Sequence, residues 1–497
     1  MRIRIASGLL VALALLLALT SGCGEKGEPA EEDADGFELT VMSFNVWYGG
    51  ASVDVNSIGE AIRAADADVV GVQEPEANLA ELARVSGMPH YEPNLHLLSR
   101  YPILPAERAG IPFAYLEVEP DRVVAIANGH LLCCPYGPNL AAKGKSAEQV
   151  AAVERRLRMP EAQRYGRALA SLAEDDVPTF MTGDFNSPSH LDWTAEAVAA
   201  RDLPYELDWP ASQALADAGL RDTYREAHPD PAADPGITWT PGTPAPHVRP
   251  DENLDRIDWV LAAGPVETVD SALVGEPGGE GVDVAVDPWG SDHRAVASTT
   301  VVEPAPAPYL VAADPRVVTA GERVTIPYTL GGRGGGREVG IFAPDGRKPQ
   351  GFETIPIFDG ADHLAPRLGT AGLDPGRYRV AMTDADGAVL AEAPLWIQSP
   401  GAQPAIETAA PTYAPGEPID VSWRNGPGNK LDWIGVFDAA DPSRYDYLGF
   451  VYAGARPDGS LTLTRADIGR LDPGRYEVAL MLDDGYSVIA SGRFRVR

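Results

Sequence analysis

The stretch that decides the fold is Pro178-Thr-Phe-Met-Thr-Gly183, which is followed directly by Asp184-Phe185-Asn186. The first six residues form the short apolar and β-branched run that is typical of a buried strand. Successive side chains on a strand point to opposite faces, so Asp184 and Asn186 can both face one pocket. The sequence therefore predicts a core strand that ends in a carboxylate and an amide.

Five other strand-like runs begin or end in residues that suit metal binding or proton transfer. These polar residues can converge if the strands share one sheet edge. The runs are Leu39-Thr-Val-Met-Ser-Phe-Asn45, Val69-Val-Gly-Val-Gln-Glu74, Val123-Val-Ala-Ile-Ala-Asn128 with His130 just beyond it, Asp258 before Trp259-Val-Leu261, and Asp292-His293 before Arg294-Ala-Val-Ala297.

Helical segments lie between these runs. Ser57 with Glu60, and Ser146 with Gln149, have the spacing of a capping box at a helix N-terminus. Residues 38–302 thus alternate strands with helices, which indicates a mixed α/β domain.

The order of the motifs resembles that of the endonuclease/exonuclease/phosphatase superfamily. This resemblance implies a DNase-I-like fold of the α/β (α+β) class over residues 38–302, a four-layer sandwich with two packed mixed sheets flanked by helices. It also implies a metal-dependent phosphoric ester hydrolase. The matching motifs are Ser43-Phe-Asn45-Val, Gln73-Glu74, Asn128-Gly-His130-Leu, Gly183-Asp184-Phe-Asn186, Arg256-Ile-Asp258 and Gly290-Ser-Asp292-His293.

The candidate metal ligands are Asn45, Glu74 and Asp292. Their carboxylate and amide oxygens suit a hard cation such as Mg²⁺, with Mn²⁺ or Ca²⁺ as alternatives. The chain has no clustered Cys or His of the kind that binds zinc. The resemblance points to Glu74 as the leading ligand.

The candidate catalytic residues are His130, Asp184, Asn186, Asp258 and His293. By resemblance, Asp184 orients and deprotonates the attacking water, and Asn186 holds that water or a phosphate oxygen. Asp258 would hold His293 as an imidazolium that stabilises the pentacovalent phosphorane. His130 would be a second imidazole that binds phosphate or protonates the leaving oxygen.

Other polar features near these motifs have ordinary interpretations. Cys133 and Cys134 are expected to be free or buried thiols, with a redox pair as the alternative. Arg155, Arg156 and Arg158 are expected to form a solvated helix face, with an anionic substrate as the alternative partner. The remaining histidines are expected to be surface or core residues, and they are His90, His96, His190, His228, His247 and His363.

The N-terminus has the pattern of an export signal. A basic start (Met1–Arg4) precedes the apolar run Ser7–Leu19 and the lipobox-like Leu19-Thr-Ser-Gly-Cys23. We expect a signal peptide over 1–22, lipidation of Cys23, an acidic tether over 23–37, and a lipid-anchored protein on the outer membrane or cell surface. Plain secretion and an uncleaved membrane helix are the alternatives.

The C-terminal part begins after a Pro-rich linker, residues 303–308. It contains an internal repeat of about 95 residues, in which Val339-Gly-Ile-Phe342 recurs as Ile434-Gly-Val-Phe437. Short alternating strands between Gly, Pro and Asp turns predict two immunoglobulin-like sandwiches, 309–399 and 400–497. The run Asp432–Phe437 is similar to a strand of SKICH-type modules, which help place some phosphatases at membranes. Generic spacers are the alternative.

Composition narrows the class of protein. The chain has 497 residues with a formal net charge of −32, which disfavours a non-specific DNA coat protein. An enzyme acting on phosphates remains compatible, because a bound divalent cation inverts the local charge. With only 3 Cys, the chain is not a disulfide scaffold.

The sequence lacks residues that are typical of two subfamilies, the inositol polyphosphate 5-phosphatases and the abasic-site endonucleases. Ser187-Pro188 follow the Gly-Asp-Phe-Asn motif where inositol polyphosphate 5-phosphatases place an aromatic residue and Arg. Pro75 follows Glu74, where abasic-site endonucleases have a Lys nearby. The leading hypothesis is a surface-anchored, Mg²⁺-dependent phosphoesterase that cleaves a phosphodiester in a lipid head group, nucleotide or nucleic acid, with nucleic acid as a substrate only. An extracellular scavenging nuclease and a non-catalytic adhesion or binding lipoprotein are the alternatives.

Overall fold

The computed structural model describes residues 36–109, 111–239, 253–331, 336–349, 354–357, 365–441, 443–444 and 447–497. The predicted signal peptide and Cys23 lie outside these residues, as do His247 and His363. Residues 37–497 form one compact unit. No helix in the described ranges is long and apolar enough to span a membrane.

The described residues up to Pro306 form fourteen strands and eight α-helices, with a 3-10 turn at Tyr48–Gly50. The strands are β1 (Phe37–Asn45), β2 (Val69–Gln73), β3 (His90–Glu92), β4 (Leu97–Ser99), β5 (Ile103–Arg108), β6 (Ile111–Glu119), β7 (Arg122–His130), β8 (Thr179–Asp184), β9 (Arg221–Asp222), β10 (Asp258–Ala263), β11 (Val266–Gly275), β12 (Val284–Ala285), β13 (Ala295–Val302) and β14 (Ala305–Pro306). The helices are α1 (Val55–Ala64), α2 (Leu79–Ser86), α3 (Gly137–Ala142), α4 (Ala147–Leu157), α5 (Met159–Ala173), α6 (Ala195–Arg201), α7 (Pro210–Asp217) and α8 (Thr223–Ala227).

These strands form two mixed sheets. The first has the order β12-β11-β13-β1-β2-β4-β3, and the second has the order β5-β6-β7-β8-β10-β9 with β14 on β7. β2 and β8 are buried along their whole length, as expected for strands covered on both faces. Helices α1 and α2 pack on the first sheet and α5 and α7 on the second, while a third apolar cluster fills the space between the sheets. This four-layer arrangement is the predicted one.

A buried polar layer joins the two sheets near one end. The Asn128 side chain on β7 accepts a hydrogen bond from Gln73 Nε2 on β2 at 2.7 Å and donates one to the Val72 carbonyl at 2.8 Å. Ser43 Oγ on β1 accepts from the Gly183 backbone N–H on β8 at 2.9 Å. The predicted polar residues therefore converge from the strand ends of two packed sheets.

The two predicted helix caps had different outcomes. Ser146 and Gln149 form a capping box at the start of α4, as predicted. The box at Ser57 and Glu60 is wrong, because α1 begins at Val55 and is capped by Asp54. Asp is a good N-cap residue, and here its carboxylate accepts the Asn56 backbone N–H at 3.0 Å.

The predicted linker is packed against the first part of the chain. Strand β14 pairs with β7, with Ala305 opposite Val123 and Pro306 opposite Arg122. The side chains of Ala305 and Ala307 are buried in the core beneath the second sheet. Ala305 and Pro306 of this segment therefore form a short strand on the central strand β7, next to the point where its pairing with β8 begins.

The C-terminal part is almost entirely β and has the predicted repeat. We call Tyr309–Gln398 the first β-unit and Ala405–Val496 the second β-unit. Their elements are β15 (Tyr309–Val311), β16 (Val317–Thr319), β17 (Arg323–Thr325), β18 (Tyr328–Leu330), β19 (Arg337–Phe342), β20 (Ile355–Ile357), β21 (Arg367–Gly369), β22 (Gly376–Thr383), β23 (Val389–Gln398), β24 (Ala405–Thr408), β25 (Thr412–Tyr413), β26 (Ile419–Arg424), β27 (Trp433–Asp438), β28 (Gly449–Tyr452), β29 (Gly459–Leu463), α9 (Arg465–Ile468), β30 (Gly474–Met481) and β31 (Val488–Val496). The sheets β16-β23-β22-β19-β20 and β25-β31-β30-β27-β28 have the same strand order, and smaller sheets accompany each.

We predict that Gly71→Ala strongly destabilises the fold, because the side chains of the second sheet lie directly against Gly71 in the polar layer. A Cβ atom there would lie 1.8 Å from Thr182 Oγ1 and 2.6 Å from Asn128 Oδ1. We expect the free energy of unfolding to fall by about 3 kcal/mol, measured by urea denaturation. Gly369→Ala is the matched control, since a Cβ there meets nothing within 4 Å. Equal stability of the two variants would contradict this account.

Candidate active site

The register of the second sheet places three predicted catalytic residues in one row. Asp258 pairs with Asp184 across β10 and β8, and His130 pairs with Asp184 across β7 and β8. β13 runs antiparallel to β1, so His293, just before β13, reaches the same end of the sandwich as Asn45. His130, Asp184, Asp258 and His293 are thus brought together, as the sequence predicted.

Asp258 and His293 form a buried carboxylate–imidazole pair. His293 Nδ1 lies 2.9 Å from Asp258 Oδ2, and its Nε2 lies 3.7 Å from Asp184 Oδ2. Burial lowers the pKa of His293, but Asp258 and Asp184 outweigh it and raise the pKa to about 10. The imidazole is therefore charged at neutral pH, with its Nε2 proton directed to the Asp184 side.

Local hydrogen bonds hold this pair in place. The backbone N–H groups of Ile257 and Asp258 donate to Thr238 Oγ1 at 3.0 and 3.1 Å. The Trp239 ring lies against the His293 ring, with centroids 4.7 Å apart. These contacts fix the His293 ring plane with respect to Asp184.

His130 approaches Asp184 from the other side. Its Nε2 lies 3.5 Å from Asp184 Oδ2, and its Nδ1 lies 3.0 Å from Oδ2 of Asp484 in the second β-unit. Burial lowers the pKa of His130, but Asp484 and then Asp184 raise it to about 10. Burial and the neighbouring Asp258 raise the pKa of Asp184 itself, while the two imidazoles lower it.

The three predicted metal ligands lie on the first-sheet side. Asn45 Nδ2 lies 3.1 Å from Asp184 Oδ2 and 3.4 Å from Glu74 Oε1. Burial raises the pKa of Asp292 to about 7, and Glu74 adds to the rise despite the opposing charge of His293. Glu74 has a left-handed backbone, with φ 55°, a conformation that non-glycine residues adopt at a cost and often at functional sites.

These donors fit a hard cation. The charges of Glu74 and Asp184 both act on Asp292, so three carboxylates offer oxygen ligands here. Asn45 lies beside two of them with its Nδ2 toward Asp184 and Glu74, while its Oδ1 accepts the Trp47 backbone N–H. Among the described residues, the His, Cys, Asp and Glu side chains whose ligand atoms all lie within 4.8 Å of one another are Asp184, Asp258 and His293. His293 shares a proton with Asp258 in that group, which favours an ion pair there over two metal ligands.

Asn186 lies at the site, and its side chain is bonded to the backbone of the segment that follows His130. Its Nδ2 donates to the Leu131 carbonyl at 2.9 Å, and its backbone N–H donates to Asp184 Oδ1 at 2.9 Å. Its backbone is also left-handed, with φ 47°. Asn186 thus ties the segment after His130 to the end of β8.

The expectation of a solvated arginine face is wrong for Arg158. This side chain is completely buried, pairs with Glu154 at 2.6 Å, and donates to the carbonyls of Leu132, Cys133 and Pro135. It therefore shapes the loop that follows His130. Cys133 and Cys134 in that loop are thiols whose Sγ atoms lie 2.7 Å apart.

Sequence reasoning missed two groups beside the site. His96 is a buried core residue, as expected, but sequence reasoning did not find its carboxylate neighbour, Asp483, whose Oδ2 lies 3.3 Å from His96 Nε2. Asp484, the next residue, contacts His130. No motif identifies either one, because the two partners in each pair are distant in the chain.

Comparison with known proteins identifies the class. The chain belongs to the endonuclease/exonuclease/phosphatase family, whose sequence model matches residues 42–293. Members of this family are generally phosphoesterase hydrolases and are typically metal-dependent.

The individual proteins that match the chain have low sequence identity to it. The chain is 29% identical over 286 residues to uncharacterized protein F14F9.5 of Caenorhabditis elegans, covering 52% of this chain and 88% of that protein. An endonuclease/exonuclease/phosphatase from Beutenbergia cavernae aligns at 20% identity and TM-score 0.34, over 72% of this chain and 99% of its own. D. rerio TDP2 complexed with single-strand DNA product aligns at 17% identity and TM-score 0.34, over 53% and 98%. At this level of similarity neither structure bears on the substrate.

We predict that Asp258→Asn shifts the alkaline limb of the pH–rate profile to lower pH. A charged His293 is lost as pH rises through its pKa, which is about 10 in the native site. Without the Asp258 carboxylate, burial lowers that pKa with less opposition, so activity disappears earlier on the alkaline side. Asp270→Asn, at an exposed position, should keep the native profile. An unchanged alkaline limb in Asp258→Asn would disprove the role assigned to the pair.

Proposed function

We propose that this protein is a metal-dependent phosphoesterase that hydrolyses a phosphodiester by in-line attack of water. The observation that carries the proposal is the convergence of one carboxylate, Asp184, with two imidazoles, His130 and His293, beside Glu74 and Asp292. Metal-dependent hydrolysis of a phosphoester uses acid–base groups next to oxygen ligands that bind a cation, and this site has both kinds of residue.

The positions of the site residues suit them to different roles in the reaction. Asp184 lies between the two imidazoles, where it can orient a water molecule and accept its proton. The His293 imidazolium, held by Asp258, can stabilise the negative charge of the phosphorane. His130, on the opposite side, can bind a phosphate oxygen or protonate the leaving oxygen.

Glu74, Asn45 and Asp292 are the residues that would hold the cation, which we propose to be Mg²⁺. When bound, such an ion would polarise a phosphate oxygen and offset the charge that develops during attack. Asp292 in particular has a carboxyl whose pKa is raised to about 7 by burial and the neighbouring Glu74, so a cation there would favour its ionised form.

We predict that Asp184→Asn and His293→Gln each lower kcat on bis-p-nitrophenyl phosphate by at least about 100-fold, the low end for an acid–base group. EDTA should abolish the native activity, and added Mg²⁺ should restore it. The matched controls are Asp270→Asn and His90→Gln, which change the same residue types away from the site. Native-like turnover in both site variants, with folding verified by circular dichroism, would refute the proposal.

The substrate class is best resolved with the whole mature chain, because the second β-unit contributes to the site. A panel of plasmid DNA, RNA, sphingomyelin and phosphoinositides with Mg²⁺ separates a nuclease from an enzyme acting on lipid head groups. The ratio of kcat/KM between substrates is the quantity to compare.

We also propose that the enzyme is lipid-anchored through Cys23 on the outer face of the cell envelope, as the export pattern of residues 1–23 supports. Metabolic labelling with radioactive palmitate should mark the native protein in a bacterial host. Cys23→Ser should remove the label and release the protein from membranes, because one or more acyl chains provide the anchor. A labelled Cys23→Ser variant, or one that stays in the membrane fraction, would contradict this anchor.

A further inference from the structure

The turn between β30 and β31 reaches the active site from the second β-unit. Oδ2 of Asp484 lies 3.0 Å from His130 Nδ1, and the two side chains are 13% and 14% exposed. Its neighbour Asp483 lies 3.3 Å from the buried His96. Two successive carboxylates of this turn thus each face an imidazole of the first part of the chain.

The backbone of this turn holds both carboxylates in a set position. Asp483 and Asp484 have φ values of 48° and 60°, and the Gly485 backbone N–H donates to the Leu482 carbonyl at 2.7 Å. Two successive left-handed residues are a turn geometry that strongly favours Gly and Asn, so two Asp residues there carry a conformational cost. The Asp484 side chain is nevertheless directed to a catalytic imidazole.

Neighbouring groups of the second β-unit fix the turn further. Trp433 Nε1 donates to the Gly485 carbonyl at 3.1 Å, and the Asp484 backbone N–H donates to the Leu431 carbonyl at 3.0 Å. Asp432 Oδ1 accepts the Asp483 backbone N–H at 3.1 Å. The turn is therefore rigid enough to impose an orientation on its partners.

The contact repeats the arrangement at His293. Asp258 accepts from Nδ1 of His293 and leaves Nε2 3.7 Å from Asp184. Asp484 accepts from Nδ1 of His130 and leaves Nε2 3.5 Å from the same Asp184 oxygen. A carboxylate on Nδ1 fixes the tautomer and the ring direction, so both imidazoles present an Nε2 proton to the reaction centre.

The surroundings shield this contact from bulk water. The rings of Trp433, Tyr447, Phe450 and Tyr486 line a narrow cleft together with His130 and Asp484. Tyr447 Oη also lies 3.8 Å from Cys133 Sγ, across the same cleft. One wall of the active site beside His130 therefore belongs to the second β-unit.

We propose that Asp484 is a positioning residue for His130, so that the second β-unit completes the active site of the enzyme. The inference rests on the proposed phosphoesterase function, because it concerns the reaction that His130 serves. It makes the β-unit part of the catalytic apparatus, and not a spacer or a membrane-targeting module alone.

The test is a double-mutant cycle on the whole chain. Asp484→Asn should lower kcat by about 10–100-fold, the usual cost of losing a carboxylate that orients an active-site histidine, with KM little changed. In the His130→Gln background the same substitution should change kcat less than about 2-fold, because its target is gone. The matched control is Asp420→Asn, at an exposed position of the second β-unit.

Three kinetic outcomes would overturn the proposal. Equal losses in both backgrounds would show that Asp484 acts through folding and not through His130. An activity gain in Asp484→Asn would show that the carboxylate obstructs the site. No change in the native background would show that the contact has no role in turnover.

A spectroscopic measurement keeps the proposal testable even if the chain has no phosphoesterase activity. The ¹⁵N resonance of His130 Nδ1, assigned by comparison with His130→Gln, should lose its hydrogen-bonded shift in Asp484→Asn and keep it in Asp420→Asn. Identical His130 spectra in native protein and Asp484→Asn would refute the positioning role. An altered spectrum in an inactive native protein would refute the proposed function alone.

Discussion

The site depends on the buried polar layer that joins the two sheets beneath it. Ser43, Gln73 and Asn128 are almost fully buried and take part in hydrogen bonds across the gap between β1 or β2 and β7 or β8. The buried Thr182 supports them within the second sheet, where its Oγ1 donates to Asn128 Oδ1. A buried polar group left without a partner costs about 1–3 kcal/mol, so a shifted packing of the sheets would be penalised at several atoms at once. This layer therefore sets the register in which Asn45 and Glu74 from one sheet meet Asp184 and His130 from the other.

Charge is the second constraint, and it ties the site to the composition of the chain. Glu74, Asp184, Asp258, Asp292 and Asp484 surround only two imidazoles in the described part of the site. The surrounding carboxylates raise the pKa values of the two imidazoles to about 10, so the imidazoles keep their protons. Burial and the neighbouring carboxylates raise the pKa of Asp292 to about 7. An excess of carboxylates buried at one place is most stable with a bound cation. Under the proposed function, part of the net charge of −32 would collect the cation that lets the site take a phosphate.

The apolar runs in the sequence predict most of the candidate site, because the polar residues of the site lie at the ends of the strands that these runs form. Asp184, Asp258 and His130 share a row, since strand pairing follows from those same runs. Arg158 was misjudged because its burial depends on carbonyls of a loop some 25 residues away. Asp484 lies 354 residues from His130, and its Asp-Gly turn recurs as Asp386-Gly387 in the first repeat. The sequence therefore predicts an ordinary hairpin turn at Asp484, and the contact with His130 is seen only in the folded structure.

The path of the chain explains why a distant repeat can reach the active site. β14 pairs with the start of β7 at Arg122 and Val123, and His130 lies at the other end of that strand. The second β-unit is held near β5 as well, where Lys430 Nζ donates to the Ala106 carbonyl at 3.1 Å. Burial and the neighbouring Arg316 lower the pKa of this lysine to about 8, which is a cost that a loosely tethered spacer would avoid by leaving the ammonium in water. Docking at Lys430 and at the Asp483–Asp484 turn therefore fixes the second β-unit against the two large sheets, and the geometry at His130 depends on residues from both parts of the chain.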